Sequence, residues 1–381
     1  MSENVSEKKI VKREIKREKK KKSKKRRLFG FIFFLAIVGG IALFLLYFPS
    51  CSILDTMTKG FSTRYEFPSH YDATSKFEKT GYLDMININW RDGDVKVYTH
   101  DSDQILIEET PNETITEKFM MHCNYQETDK YGHSILVQYC KSGKWNFKDL
   151  KKDLIVYIPK REDLQITIHT YNSDIEFDFS DTKLSKMQIQ SNHGSVDGTF
   201  ASADKVYLLG SSSKTVKSDY HYNVIQTGVV NELEFSTCQS MNLKLNEVNY
   251  FKGGSVWGKV DIDLEKAKEV DISLSNYDFN FNVGVIEKIN LKDKYSNGGN
   301  VNIYFDDDAS YIIDITRKDY KENGEVVSRI TTNTIGEKIS DSEYKIGSGT
   351  NKINITLAGN LNILGKEAEW KNAQLSVFYM L

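Results

Sequence analysis

Residues 270–283 read V-D-I-S-L-S-N-Y-D-F-N-F-N-V, and this stretch decides the fold. Apolar side chains alternate with polar ones on both sides of Ser275-Asn276-Tyr277-Asp278. Alternation at a period of two puts Val270, Ile272 and Leu274 on one face of a strand, and Phe279 and Phe281 on one face of the next. The polar cluster between them is turn chemistry, because Asn, Asp and Ser bond their own backbone and tolerate tight bends.

The same unit recurs on either side. Ile166 and Ile168 precede Tyr171-Asn172-Ser173-Asp174, and Ile175-Glu176-Phe177-Asp178-Phe179 follows. Met187-Gln188-Ile189 leads through Ser191 to Ser195 into Val196. Leu233-Glu234-Phe235 leads through Cys238-Gln239-Ser240 into Met241-Asn242-Leu243, and Gly258-Lys259 introduces Val260-Asp261-Ile262. Taking the first apolar residue after each turn as a ruler gives Ile175, Val196, Val216, Met241, Val260, Phe279 and Val301, at steps of 21, 20, 25, 19, 19 and 22. A period of this length marks stacked repeats, in which each unit has an apolar face that only its neighbours can bury. The expected fold is therefore all-β, a solenoid-like stack of about 20-residue repeats. A β-sandwich with evenly spaced turns is the alternative.

Outside this stretch the pattern loosens. Met85 to Trp90 and Val95 to Tyr98 flank Arg91-Asp92-Gly93-Asp94, a strong turn signal. Lys141 to Asp153 reads as an inserted loop or short helix. Residues 306–347 break the rhythm, with a hairpin turn at Lys321 to Glu325, and the rhythm returns at Gly347-Ser348-Gly349-Thr350-Asn351 and in Ile353 to Ile363. Leu375 to Tyr379 suits a closing strand at the end of the stack.

The first fifty residues are of another kind. Residues 1–27 carry 14 Lys/Arg against 4 Asp/Glu, and Leu28 to Phe48 is an uncharged apolar run. As a helix that run covers roughly 30 Å, the thickness of a bilayer's hydrocarbon core. The basic block, Lys8 to Arg27, keeps to the cytoplasmic side by the positive-inside bias and touches anionic lipid heads. The organisation expected is a basic cytoplasmic segment (1–27), a transmembrane helix (28–48), a linker (49–76), an extracytoplasmic β-repeat domain (77–365) and a closing segment (366–381). An uncleaved signal anchor fits better than a cleaved signal peptide, whose apolar core is shorter, or a lipidated Cys51, before which Phe48-Pro49-Ser50 is a poor lipobox. With the basic block removed, the rest of the chain has 37 basic and 49 acidic residues, so nucleic acid is not an expected partner.

The recurring turn-and-strand units resemble those of the bacterial adhesin-like family of β-strand-repeat proteins known as DUF4097. So does Gly347-Ser348-Gly349-Thr350-Asn351-Lys352-Ile353-Asn354-Ile355-Thr356-Leu357-Ala358-Gly359-Asn360-Leu361-Asn362-Ile363. The resemblance covers roughly residues 77–365 and implies a β-solenoid-like or sandwich-like domain on a membrane anchor, with no catalytic residue to carry over. The departures are fewer glycines at the turns and the irregular stretch before residue 160.

Chemistry is sparse. None of the seven His residues forms a His-x-x-x-His pair, and no Cys-x-x-Cys, Gly-x-Ser-x-Gly, Walker or dinucleotide motif occurs. The sequence therefore predicts no catalytic, cofactor-binding or metal residue. Its best cation candidate, Asp306-Asp307-Asp308, is read as a solvated acidic loop, because it lacks the spacing of a Ca²⁺ loop. His122 and Cys123 are strand neighbours that point to opposite faces. His193 and Asp174 sit one repeat apart at turns, where stacking would bring them together as turn decoration. Cys123 and Cys140 read as buried thiols, with a cross-hairpin disulfide as the other option. Asn112 and Asn354 fit the N-glycosylation pattern, which matters only in a eukaryotic secretory setting.

The function expected is that of a non-enzymatic, membrane-anchored surface module that binds a glycan or protein ligand or acts as a scaffold. Tyr220, Tyr222 and Tyr277 are candidate contacts on exposed strand positions, although core packing suits each of them too. An envelope-sensing regulator is one alternative. A carbohydrate-active enzyme using Asp178, Asp197, Asp261 and Asp263 is the other.

Overall fold

The computed structural model describes residues 73–366, apart from 129–131, 141–149, 211–219, 238–239, 256–257, 276, 294–298, 319, 323–324, 328–331 and 335. The chain divides into two compact units. The first, 1–64 with 143–146, lies outside the described residues, and the second holds every described strand. The expected span Leu28 to Phe48, Cys51, Cys238 and the closing strand 375–379 also fall outside. Among the described residues no helix is long and apolar enough to cross a membrane.

The domain is all-β. Six coils follow one another: coil 1 (Ile175–Ser191), coil 2 (Val196–Gly210), coil 3 (His221–Thr237), coil 4 (Ser240–Ser255), coil 5 (Lys259–Leu274) and coil 6 (Tyr277–Asp293). Each pairs in parallel with the next over nearly its whole length. That pairing is the signature of a solenoid and excludes the antiparallel sandwich. Equivalent residues stack directly, as in the row Ile175, Val196, Tyr222, Met241, Val260, Phe279 and Val301.

The ruler needs one correction. Coil 3 enters the row at Tyr222 and not at Val216, which lies in the undescribed 211–219. The insertion between coils 2 and 3 therefore precedes the strand, and Tyr222 is moved from the surface into the core. Its ring is fully buried, and its hydroxyl donates to Leu209 O and accepts from Ser191 N at 3.0 Å.

The coil bends because alternation slips. In coil 5 Glu265-Lys266 and Lys268-Glu269 are successive outward pairs, and Ala267 between them faces inward. The two slips let Val260, Ile262 and Leu264 on one half, and Val270, Ile272 and Leu274 on the other, join the same core. Each such side chain is worth about 1.5–3 kcal/mol on full burial. At one coil corner a buried polar side chain is satisfied by its neighbours: Gln226 donates to Ala201 O at 3.3 Å and accepts from Asn246 N at 2.8 Å.

The ends of the stack are irregular. Toward the N-terminus, Val95–His100 stacks on the first half of coil 1, and Leu164–Asn172 on the second. Met85–Asp92 pairs with Leu164–Asn172, whereas Val95–His100 pairs with Lys152–Pro159. The Asp92-Gly93 turn thus carries the chain from one strand stack of the sheet to the next and closes no hairpin. The sheet begins at Ala73, inside the stretch expected as linker, and Lys152-Asp153 already belong to a strand. Toward the C-terminus, Asn351–Leu357 lies between coil 6 and Tyr311–Arg317, while Asn360–Gly365 stacks on Gly299–Phe305. The hairpin at 320–327 forms as expected. The outermost strands include Lys76–Thr80 and Glu337–Ser340, whose exposed charged side chains discourage pairing with another sheet.

A buried ion pair closes the core at the N-terminal end. Lys152 and Glu109 meet at 2.5 Å with both side chains fully buried. Lys152 Nζ also donates to Phe119 O at 2.8 Å and to Tyr139 O, and lies over the Trp90 and Tyr139 rings. Glu109 also accepts from Met121 N at 2.9 Å. Burial pushes the Glu109 carboxyl up and the Lys152 ammonium down, each against the pull of its partner. Cys123 and Cys140, nearby, are buried thiols, and burial raises the Cys123 pKa strongly.

Two stability predictions follow from this packing. Replacing Lys152 by Met leaves a buried carboxylate without its cation and should cost about 3–5 kcal/mol in denaturant unfolding, whereas Lys152→Met with Glu109→Leu should recover a large part. A Cβ on Gly198 would meet the Phe177 ring at 2.4 Å. Gly198→Ala should therefore cost roughly 1–3 kcal/mol by overpacking, and Phe177→Leu should relieve it in the double variant, read by calorimetry.

Candidate functional site

The outward face of the first coil halves carries a ladder of amides and carboxylates. Asp197, Asn223, Asn242, Asp261, Asn280, Asn302 and Asn362 occupy one register position on successive rungs. Asn223 donates to Asp197 at 3.2 Å, and Asn242 to Asn223 at 3.3 Å. Asn280 donates to Asp261 at 2.5 Å, Asn302 to Asn280 at 2.7 Å, and Asn362 to Asn302 at 2.7 Å. Each amide has two N–H donors and a two-lone-pair oxygen, so one ladder bond per neighbour leaves capacity on the outer side.

Two residues further along the strand runs a second row, Ile225, Lys244, Asp263, Asn282 and Tyr304, again one per rung. Two grooves lie along it. One, of about 370 Å³, is lined by Asn242, Lys244, Asp261, Asp263, Asn280 and Tyr304 among others. The other, of about 400 Å³, shares Lys244 and Asp263 with the first and reaches back to Ile225 and Thr227. Together they follow the stack across five rungs, roughly 19 Å at about 4.8 Å per rung. Ile225 is partly exposed at one end, and Tyr304 is half-buried at the other.

Nearer the N-terminus the face turns to fixed charge. Tyr98 donates to Glu176 at 2.6 Å, and Lys96 pairs with Glu176 at 3.2 Å. The Tyr98 hydroxyl and then Lys96 hold the Glu176 carboxyl below its usual range, while burial and this bond push Tyr98 up.

The outward face of the second halves is different. It is bridged by ion pairs between coils: Lys288 pairs with Glu269 at 2.7 Å within one row, while Lys292 with Asp271 at 3.4 Å and Lys252 with Glu232 at 3.5 Å reach diagonally between rows, and Asn354 donates to Asn290 at 2.9 Å. The Lys288 bond holds the Glu269 carboxyl down.

The residues singled out in the sequence are scattered. Asp261 and Asp263 line the groove, and Asp197 belongs to the ladder; Asp178, four rungs from Asp263, does not line it. Asp261 is engaged by Asn280 and by Lys259 at 3.1 Å. Asp174 accepts from Ser195 N at 2.7 Å, while the His193 ring packs edge-on against Tyr171, so different partners hold the two residues. His122 is buried, as is Cys123. Asp306 pairs with Lys366 at 3.0 Å, and among the described residues no group of His, Cys, Asp or Glu is arranged to hold a metal ion. Tyr220 is half-buried, and Tyr222 belongs to the core. The ladder itself was missed, although Asp261-x-Asp263 and Asn280-x-Asn282 contribute their first residue to it, and Asn300-x-Asn302 and Asn360-x-Asn362 their second.

No family model matches the chain, and no curated protein matches it. Among solved structures, one described as a putative cell adhesion protein from Clostridium sporogenes is 11% identical and covers 76% of this chain and 99% of its own, with a TM-score of 0.25. Likeness at that level carries no argument about fold or function.

Asn280→Ala removes two ladder bonds and should cost about 1–2 kcal/mol in urea unfolding without loss of the strand signal in circular dichroism.

Proposed function

We propose that the chain is a non-enzymatic surface-binding module that uses the amide-lined face. The observation that carries this reading is the contrast between the two outer faces. On one, ion pairs between coils engage Lys252, Lys288 and Lys292 with Glu232, Glu269 and Asp271. On the other, a grooved double row runs across five rungs, and its ladder amides keep donor and acceptor capacity beyond the bonds to their neighbours. A regular face of this kind suits an extended ligand better than a small one, since neither groove is a deep apolar pocket. In this reading Leu28 to Phe48 anchors the module in a membrane, with Lys8–Arg27 on the cytoplasmic side and the β-stack outside.

The carbohydrate-active alternative draws on Asp261 and Asp263, which stand two residues apart on one strand face. The engagement of Asp261 by Lys259 and Asn280 counts against it, because both partners hold the carboxylate in the ladder and away from a scissile bond.

The test is adhesion of beads carrying the full-length chain to bacterial and host-cell surface preparations. Lys244→Ala with Tyr304→Ala should lower bead retention at least about tenfold, whereas Lys288→Ala on the other face should leave it unchanged. Equal retention by all three, or none by the unaltered chain, overturns the proposal. Release of new reducing ends during contact would favour the enzyme reading.

A further inference from the structure

Resting on that reading, we infer that the double row is a track for a neutral, unbranched, equatorially linked pyranose chain lying parallel to the stack axis, one sugar per rung. Three features argue for this ligand. The first is period: successive rungs are about 4.8 Å apart, close to the advance per sugar of an extended β-1,4-linked chain. A chain laid along the axis therefore meets one rung of the double row at every sugar, whereas one laid across the strands does not.

The second is the chemistry of the two rows. Asn223, Asn242, Asp261, Asn280 and Asn302 form one rail. The other rail runs from Ile225 through Lys244, Asp263 and Asn282 to Tyr304. The rails stand about 6–7 Å apart, two residues along a strand, which leaves room for a sugar ring with hydroxyls directed to both sides. Amides and carboxylates supply mixed donors and acceptors, as vicinal hydroxyls require. The partly apolar bodies of Ile225 and Tyr304 offer the two ends of the track a surface for the C–H faces of the terminal rings.

The third is what the face does not suit. An extended polypeptide binds a sheet by pairing with the backbone of an edge strand, and this face lies in the interior of the sheet, where every strand is already paired on both sides. A nucleic acid or polyanionic glycan needs a basic surface, and here Lys244 and Lys259 are balanced by Asp261 and Asp263.

The test is calorimetry of the full-length chain in detergent with cello- and chito-oligosaccharides of one to six sugars. Affinity should rise about threefold or more with each added sugar up to five and then level off, as one or two new hydrogen bonds per rung predict. Asn282→Ala, which touches no ladder bond, should weaken the pentamer about tenfold and leave thermal stability unchanged. Affinity that is flat from monomer to hexamer overturns the axial track. No saturable heat with any oligomer, alongside bead retention that still depends on Lys244 and Tyr304, overturns the glycan inference and leaves the binding reading intact. Loss of both overturns both.

Discussion

The parallel in-register pairing of one coil on the next is the constraint on which the rest depends. Interior strands satisfy their backbone groups only through the coil above and the coil below, so equivalent positions must superpose. Superposition turns each position into a row. Inner rows must be filled with side chains that tolerate their own kind at about 4.8 Å, which Val, Ile, Leu and Phe do. Outer rows must either alternate in charge, as Lys288 and Glu269 do, or use groups that bond to themselves, as the amides do. The two outer faces are two solutions of one problem, and only the amide solution leaves bonding capacity over.

The same constraint explains the exceptions. Gly198 stands in an inner row because the Phe177 ring takes the space its side chain would need. Gln226 is admitted to an inner row because the coil corner supplies Ala201 O and Asn246 N. Lys152 sits where regular coils have ended and the strands around it run in both directions. There its ammonium reaches the carbonyls of Phe119 and Tyr139 as well as Glu109.

Much of this is legible in the chain. Alternation and turn chemistry located the coils, because a solenoid writes its period directly into sequence. What was not legible was set by long-range partners. Val216 and Tyr222 are both apolar residues in plausible strands, and only the register of the next coil places Tyr222 in the row. Asp92-Gly93 carries a hairpin signature yet joins two strands that do not pair with each other, because the partner of each comes from much later in the chain. The site was half legible. Asp261 and Asp263 stand out alone, but their meaning comes from Asn242, Asn280 and Asn282 lying above and below, and that needs the phase of every coil to be right. The buried Lys152–Glu109 pair left no local trace at all.

The interleaved C-terminal end sets an order of assembly. Tyr311–Arg317 rests on Asn351–Leu357, and Asn351–Leu357 rests on coil 6. A chain that emerges from its N-terminus can build the coils one after another, each on a finished template. It must then hold a place open, because Tyr311–Arg317 is made first but belongs outside Asn351–Leu357. The last turn of the stack is a latch that closes only when residues 351–357 arrive, so a truncation anywhere within 318–350 would leave a finished coil 6 with its second half uncovered.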